Sequence, residues 1–259
     1  MDYQQFLLNK MELAPDTGFD IPLSAINPIL KPHQRDAVQW AIKGGRRALF
    51  EAFGLGKTAQ ELEFVRIITE REGGQGLITL PLGVKQEFTR DAVKLLGMEQ
   101  PEYVRTMAEV KRARTRIVLT NYERVREGDI DPAYFTAANG LDEASCLRDY
   151  GSKTFQTFLP LFKGVPYKLV ATAMPSPNRL KELIHYAGFL EIMDTGQALT
   201  RFFQRDSTKA NNLTLYPHKE DEFWLWVSSW ALFITKPSDL GYSDEGYDLP
   251  PLKINYHEI

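Results

Sequence analysis

The chain has 259 residues, 43% of them hydrophobic, enough to bury the core of one large domain or of one domain with an appendage. Its 31 Lys plus Arg against 34 Asp plus Glu leave a formal net charge of −3, which excludes a uniformly basic surface and confines any nucleic-acid contact to a local patch. The single cysteine, Cys146, excludes an internal disulfide framework and a thiolate-rich zinc site, and no stretch approaches the roughly 20 apolar residues of a membrane span.

Residues 1–30 read as a lead-in, with a short helix over 3–13 and then an irregular stretch broken by Pro15, Pro22 and Pro28. Pro32 suits the first turn of a helix, and Ala37, Trp40 and Ala41 follow at helical spacing until Gly44 and Gly45 stop it. A short apolar strand over 47–52 runs through a glycine loop into a second helix over 59–71. The Leu62, Val65, Ile67 and Ile68 side chains of that helix form an apolar stripe before Gly73 and Gly74. Further strands are expected over 76–80, near Tyr103, over 116–120 and over 167–172, with a helix over 84–96. Such alternation specifies a mostly parallel sheet flanked by helices, spanning 31–179.

From residue 180 the β signal fades. Phe223, Val227, Trp230, Ala231 and Ile234 recur on one helical face, so a C-terminal helical appendage is expected over 180–245. Its aromatic residues, Trp224 and Trp226 included, cannot all face one side; core packing accounts for most of them, and part of the helix is left for a protein partner. Residues 246–259, with Pro250 and Pro251 ahead of an alternating run, read as a linker or edge strand.

The strongest chemical signal is Gly54, Leu55, Gly56, Lys57 and Thr58 between a strand and a helix. Consecutive backbone N–H groups at a helix N-terminus bind phosphate oxygens, the lysine reaches the β and γ phosphates, and the threonine hydroxyl ligates Mg²⁺. The general pattern has glycine five residues before Gly56, where this chain has Glu51. Asp142 and Glu143 form a second element: an aspartate at a strand end holds Mg²⁺, and the adjacent glutamate positions and deprotonates an attacking water. In a third, an apolar strand runs into Pro175 and Pro177 and puts Thr172 at the carboxyl edge of the sheet, where ligands sit in open α/β folds. Among Lys111, Arg112, Arg114 and Arg116, the densest basic run, Arg112 and Arg114 are candidates for a nucleic-acid backbone. His33, His185, His218 and His257 show no metal-ligand spacing with Cys146.

Taken in order, LKPHQRDAV, GLGKT, IVLTNYE, LDEAS and ATAMPSPN resemble the motif series of superfamily 2 helicases, and most of all Swi/Snf-type DNA translocases of the phage and prophage kind. The resemblance implies a RecA-like fold using ATP and Mg²⁺ in the cytoplasm of a bacterial or phage-infected cell. It makes Gln34 the adenine reader, Lys57, Asp142 and Glu143 the catalytic residues, Thr58 and Asp142 the Mg²⁺ ligands, and Thr172 the residue coupling hydrolysis to movement. It also implies DNA as a partner, with Asn121 and Tyr122 near the strand, and a second RecA-like domain bearing a Q-x-x-G-R-x-x-R arginine motif. The sequence contains no such motif; its only Gly-Arg pair is Gly45 and Arg46.

Two departures stand out. The strand before the acids reads Ala137, Ala138, Asn139, Gly140 and Leu141, poor in branched residues, and Met174 replaces a small residue. Two readings therefore stand. The first is an ATP-binding motor half that requires a second RecA domain for efficient hydrolysis. The second is a weak or silent module that binds a protein complex through 180–245.

Overall fold

A computed structural model describes residues 13–176, 179–205 and 213–247. The helix expected over 3–13 and the tail after residue 247 fall, wholly or nearly so, outside these residues. Seven strands form one sheet: β1 (Arg46–Glu51), β2 (Gly76–Leu80), β3 (Glu102–Tyr103), β4 (Ile117–Asn121), β5 (Ala138–Leu141), β6 (Lys168–Thr172) and β9 (Ala231–Ile234). Their spatial order is β3-β4-β2-β5-β6-β1-β9, with every neighbouring pair parallel. A separate antiparallel hairpin joins β7 (Phe203–Arg205) and β8 (Leu213–Leu215).

Alternation along each strand sends neighbouring residues to opposite faces. Leu49, Ile78, Leu119, Ala138 and Leu169 meet α1 (Pro32–Gly44) and α2 (Lys57–Glu72) on one face. Ala48, Leu77, Val118, Leu141 and Val170 meet α6 (Lys153–Leu161), α7 (Glu182–Phe189) and α9 (Glu220–Ser228) on the other. Covering both faces explains strands that are apolar throughout. Shorter helices complete the chain: α3 (Lys85–Arg90), which runs on into a π-helical turn at Asp91–Leu95, α4 (Met107–Arg112), α5 (Tyr122–Arg126) and α8 (Thr195–Phe202).

This connectivity builds a crevice. The helix leaving β1 packs on one face, whereas those following β5 and β6 pack on the other. The loops at the carboxyl ends of these strands therefore diverge and leave room for a ligand between them.

The stretch over 180–245 is not wholly helical. Ala231 and Ile234, expected on a helix, lie in β9, which pairs with β1 from Ala48 opposite Ala231 to Glu51 opposite Ile234. α9 ends at Ser228, and the main chain of Ala48 and Ala52 donates to the Trp230 and Ile234 carbonyls at 2.9 Å each. A short continuous apolar run fits a buried strand as well as a helix, and periodicity alone does not separate them. The free edge of β1 decides here, because pairing satisfies its backbone groups. β1 is thereby an interior strand, and the loop that follows it springs from a rigid base.

The weak strand before the acids is likewise held by its neighbours. β5 lies fully buried between β2 and β6, and Asn139 donates its amide to the Phe135 carbonyl at 2.9 Å. Pairing on both sides overrides its poor propensity. Among the described residues no helix is long and apolar enough to cross a membrane.

Candidate functional site

β1 delivers the chain to Glu51, and α2 begins at Lys57. The turn between them needs left-handed backbone at Gly54 (φ +84°) and Gly56 (φ +82°), a region that penalises any side chain. At Gly56 the restriction is also steric, since a Cβ would stand 2.4 Å from Gln34 Nε2. The free N–H groups of the first turn of α2 face the loop, and its dipole favours an anion there. Lys57 arches back, donating to the Glu51 and Ala52 carbonyls at 2.8 and 3.1 Å and lying 5.5 Å from the exposed ring of Phe53.

Gln34, on the first turn of α1, joins this loop. Its carbonyl accepts from the Lys31 N–H at 2.9 Å, and its amide donates to the Leu55 carbonyl at 2.7 Å. Glu51, a departure by pattern, turns beneath the loop and accepts from Gln60 at 2.8 Å, while Gln60 also reaches the Leu55 carbonyl at 3.3 Å. Burial pushes the Glu51 carboxyl up to about 7, against the opposing pull of Gln60 and Lys57.

Asp142 and Glu143 follow the carboxyl end of β5. The Asp142 N–H donates to the Thr79 carbonyl at 3.0 Å, and burial raises its carboxyl to about 6, opposed by the Glu143 N–H and by Lys57. Glu143 takes the left-handed conformation at φ +50°, rare for a side chain of its size. Thr172, at the end of β6, donates to Glu143 Oε1 at 3.0 Å and accepts from the Met174 N–H at 3.2 Å. Only the backbone of Met174 makes that contact, so its unusual side chain does not disturb it.

Glu61 was not among the sequence candidates. One turn beyond Lys57 on α2, it is fully buried, neither carboxyl oxygen has a donor, and it lies against Asp142. Burial and then Asp142 push its carboxyl well above the usual range. Gly140 makes room for it, since a Cβ there would stand 3.3 Å from Glu61 Oε2. The weak strand and the extra acid are thus one packing solution. An acidic residue adjoining the apolar stripe of α2 was the available signal.

The site suits a divalent cation. Two buried carboxyls, Glu51 and Glu61, and the half-buried Asp142 share the field of a single ammonium, Lys57, and the Thr58 hydroxyl and Asp142 carboxylate are hard oxygen donors. No group of three or more His, Cys, Asp or Glu among the described residues holds a metal unaided. That donor set fits Mg²⁺, which usually takes one or two protein oxygens and completes its shell with phosphate and water.

The nucleic-acid candidates divide. Asn121 and Tyr122 stand at the same carboxyl edge but are buried: Asn121 donates to Glu123 at 2.5 Å and accepts from Tyr103 at 3.1 Å, and Tyr122 stacks on Phe158 with centroids 5.6 Å apart. Tyr122 therefore offers no surface to a DNA strand. Arg112 and Arg114 are exposed but precede β4, at the opposite edge from the phosphate loop. Helix-end charges there are solvated because the parallel topology sends the start of every strand away from the site. The carboxyl edge instead carries Lys85 and Arg105, whose cations lie 4.8 and 5.9 Å from the Tyr103 ring, a pairing of distant segments that no run of sequence displays. Of the aromatic residues over 223–233, Trp226 and Trp230 are core, whereas Trp224 and Phe233 remain partly exposed.

No family model matches the chain. It is 26% identical over 222 residues to a chromodomain-helicase-DNA-binding protein 3 homolog of Caenorhabditis elegans, covering 71% of this chain and 12% of that protein. With the SWI/SNF chromatin-remodeling complex subunit snf22 of Schizosaccharomyces pombe it shares 25% over 177 residues, 62% of this chain and 10% of that one. The chain thus spans about a tenth of these relatives. The SWI2/SNF2 ATPase core of Sulfolobus solfataricus in complex with dsDNA superposes with a TM-score of 0.63 at 19% identity, over 83% of this chain and 46% of that one. The UvsW helicase of bacteriophage T4 gives 0.51 at 16%, over 73% and 64%. The fold is the RecA-like α/β fold of the SWI2/SNF2 ATPase core.

Proposed function

We propose that this chain is the ATP-binding half of a helicase-like, DNA-dependent ATPase of the Swi/Snf type, completed by a second RecA-like domain. The observation that carries the reading is the convergence, on one edge of the sheet, of the Gly54 to Thr58 loop, the Asp142 and Glu143 pair, and Thr172 bonded to Glu143. The similarity to helicase and remodeller proteins supports it.

In this reading the loop N–H groups hold the phosphate oxygens and Lys57 swings from the Glu51 carbonyl to the β and γ phosphates. Gln34 holds the loop from α1 and presents its amide edge to adenine. Thr58 and Asp142 would hold Mg²⁺, which supplies charge neutralisation on the phosphates when bound. Glu143 orients the attacking water and takes its proton, and Thr172 reports the state of Glu143 to β6. The arginine that neutralises charge on the transferred phosphoryl group comes from the second domain in this reading, and the one Gly-Arg arginine of this chain, Arg46, lies at the far end of β1 paired with Glu191. Such an arginine contributes on the order of 10³ to 10⁵ in rate. DNA lies along the carboxyl edge, over Lys85 and Arg105. Buried pairing of β5 and the backbone contact of Met174 favour an active site over a silent module.

The test is titration of the chain with ATP and Mg²⁺, then turnover with double-stranded DNA. Wild type binds in the micromolar range and Lys57→Ala does not, while efficient DNA-stimulated turnover appears only when a second RecA-like half is added. No binding at millimolar ATP would favour the interaction module, and robust DNA-stimulated turnover by the chain alone would refute the need for a second half.

A further inference from the structure

Tyr122 faces inward, and its hydroxyl donates to the main-chain carbonyl of Asp142 at 2.5 Å across 20 residues, with the Cys146 thiol also beside it. The ring is fixed by stacking on Phe158, nearly parallel at 16°. Asp142 is therefore held at both backbone groups: its N–H by the Thr79 carbonyl of β2, its C=O by Tyr122. The carbonyl is one end of the peptide plane joining the two acids, so its direction fixes the left-handed φ of +50° at Glu143. A residue of this kind in that region is strained and persists only where its surroundings hold it. Without the hydroxyl, the part-buried carbonyl would lose this donor and the plane would be free to turn toward another.

The geometry points to Tyr122 as a positioning residue for the acid pair, its hydroxyl locking the Asp142–Glu143 peptide so that Asp142 meets the cation and Glu143 meets Thr172. Because Tyr122 opens α5 directly after Asn121, any shift at the carboxyl end of β4 moves that hydroxyl and reaches the acids. The inference rests on the nucleotide-binding reading above.

The experiment measures affinity for a non-hydrolysable ATP analogue in EDTA and in Mg²⁺, for wild type and Tyr122→Phe, with a thermal melt to confirm folding. Expected is an unchanged affinity in EDTA and a gain on adding Mg²⁺ that is about three- to tenfold smaller than in wild type, the equivalent of one hydrogen bond. A merely structural role would lower both affinities together. Phe158→Leu, which removes the ring that fixes Tyr122 but keeps the hydroxyl, gives a smaller version of the same selective loss of Mg²⁺ gain, and it carries the test where Tyr122→Phe alone does not fold. An equal Mg²⁺ gain in wild type and both variants, or an equal loss with and without Mg²⁺, overturns the inference. Absence of nucleotide binding by wild type removes the underlying reading as well, which keeps the two failures distinct.

Discussion

Replacing Gly56 by alanine loads two separate costs onto the phosphate loop. The first is conformational: at φ +82° an L side chain is disfavoured by about 1–2 kcal/mol. The second is steric: the new Cβ would meet Gln34 Nε2 at 2.4 Å, so the amide must leave the Leu55 carbonyl it now reaches at 2.7 Å, a loss of about 1 kcal/mol. The sum, about 2–3 kcal/mol, corresponds to a roughly 30- to 150-fold loss of nucleotide affinity if the loop conformation is required for binding. Gly54→Ala is the internal comparison. Its φ of +84° carries the same strain, but nothing lies within 4 Å of the added atom, so it loses affinity only by the conformational share. Calorimetric titration of wild type, Gly54→Ala, Gly56→Ala, Gln34→Ala and Gly56→Ala/Gln34→Ala separates the shares. The Gln34 truncation costs affinity in the wild-type background and much less in Gly56→Ala, because the bond is already lost there. Equal losses in the two glycine variants, or additive behaviour of Gly56→Ala and Gln34→Ala, would refute the steric argument.

Two further outcomes follow from charge. Glu51 titrates near 7 in the fold against an ordinary value of 4.5, so the folded chain binds this proton more tightly than the unfolded chain does. Stability therefore falls as pH rises from about 4.5 to 7, by ~3 kcal/mol from this group, and levels off above. Urea unfolding at pH 5 and pH 8 should show a smaller decline in Glu51→Gln than in wild type; an identical decline would rule out Glu51 as its source. On the carboxyl edge, Lys85→Ala and Arg105→Ala each reduce the salt dependence of DNA binding by about one phosphate contact, while Arg112→Ala and Arg114→Ala leave it unchanged. Fluorescence anisotropy across a salt series reads this directly, and the reverse pattern would move the DNA to the other edge.

Much of this protein is written locally. The strand, glycine loop and helix over 46–72 follow from short-range spacing, and the two glycines sit where only glycine is free of strain. The order of the motifs places Lys57, Asp142, Glu143 and Thr172 at strand ends, and parallel strands then bring those ends to one edge. What the sequence does not display is which distant segment meets which. β9 looks helical until the open edge of β1 claims it. Glu61 and Gly140 are unremarkable apart and explain each other only when α2 crosses β5. Tyr122, placed near a DNA strand only by the resemblance, is a buried clamp on Asp142 because α6 supplies Phe158 against it. Spacing along a chain fixes local conformation through sterics and hydrogen bonds between near neighbours. Burial and long-range pairing, which set the charge state and orientation of the acids here, depend on packing that arises only once the sheet is assembled.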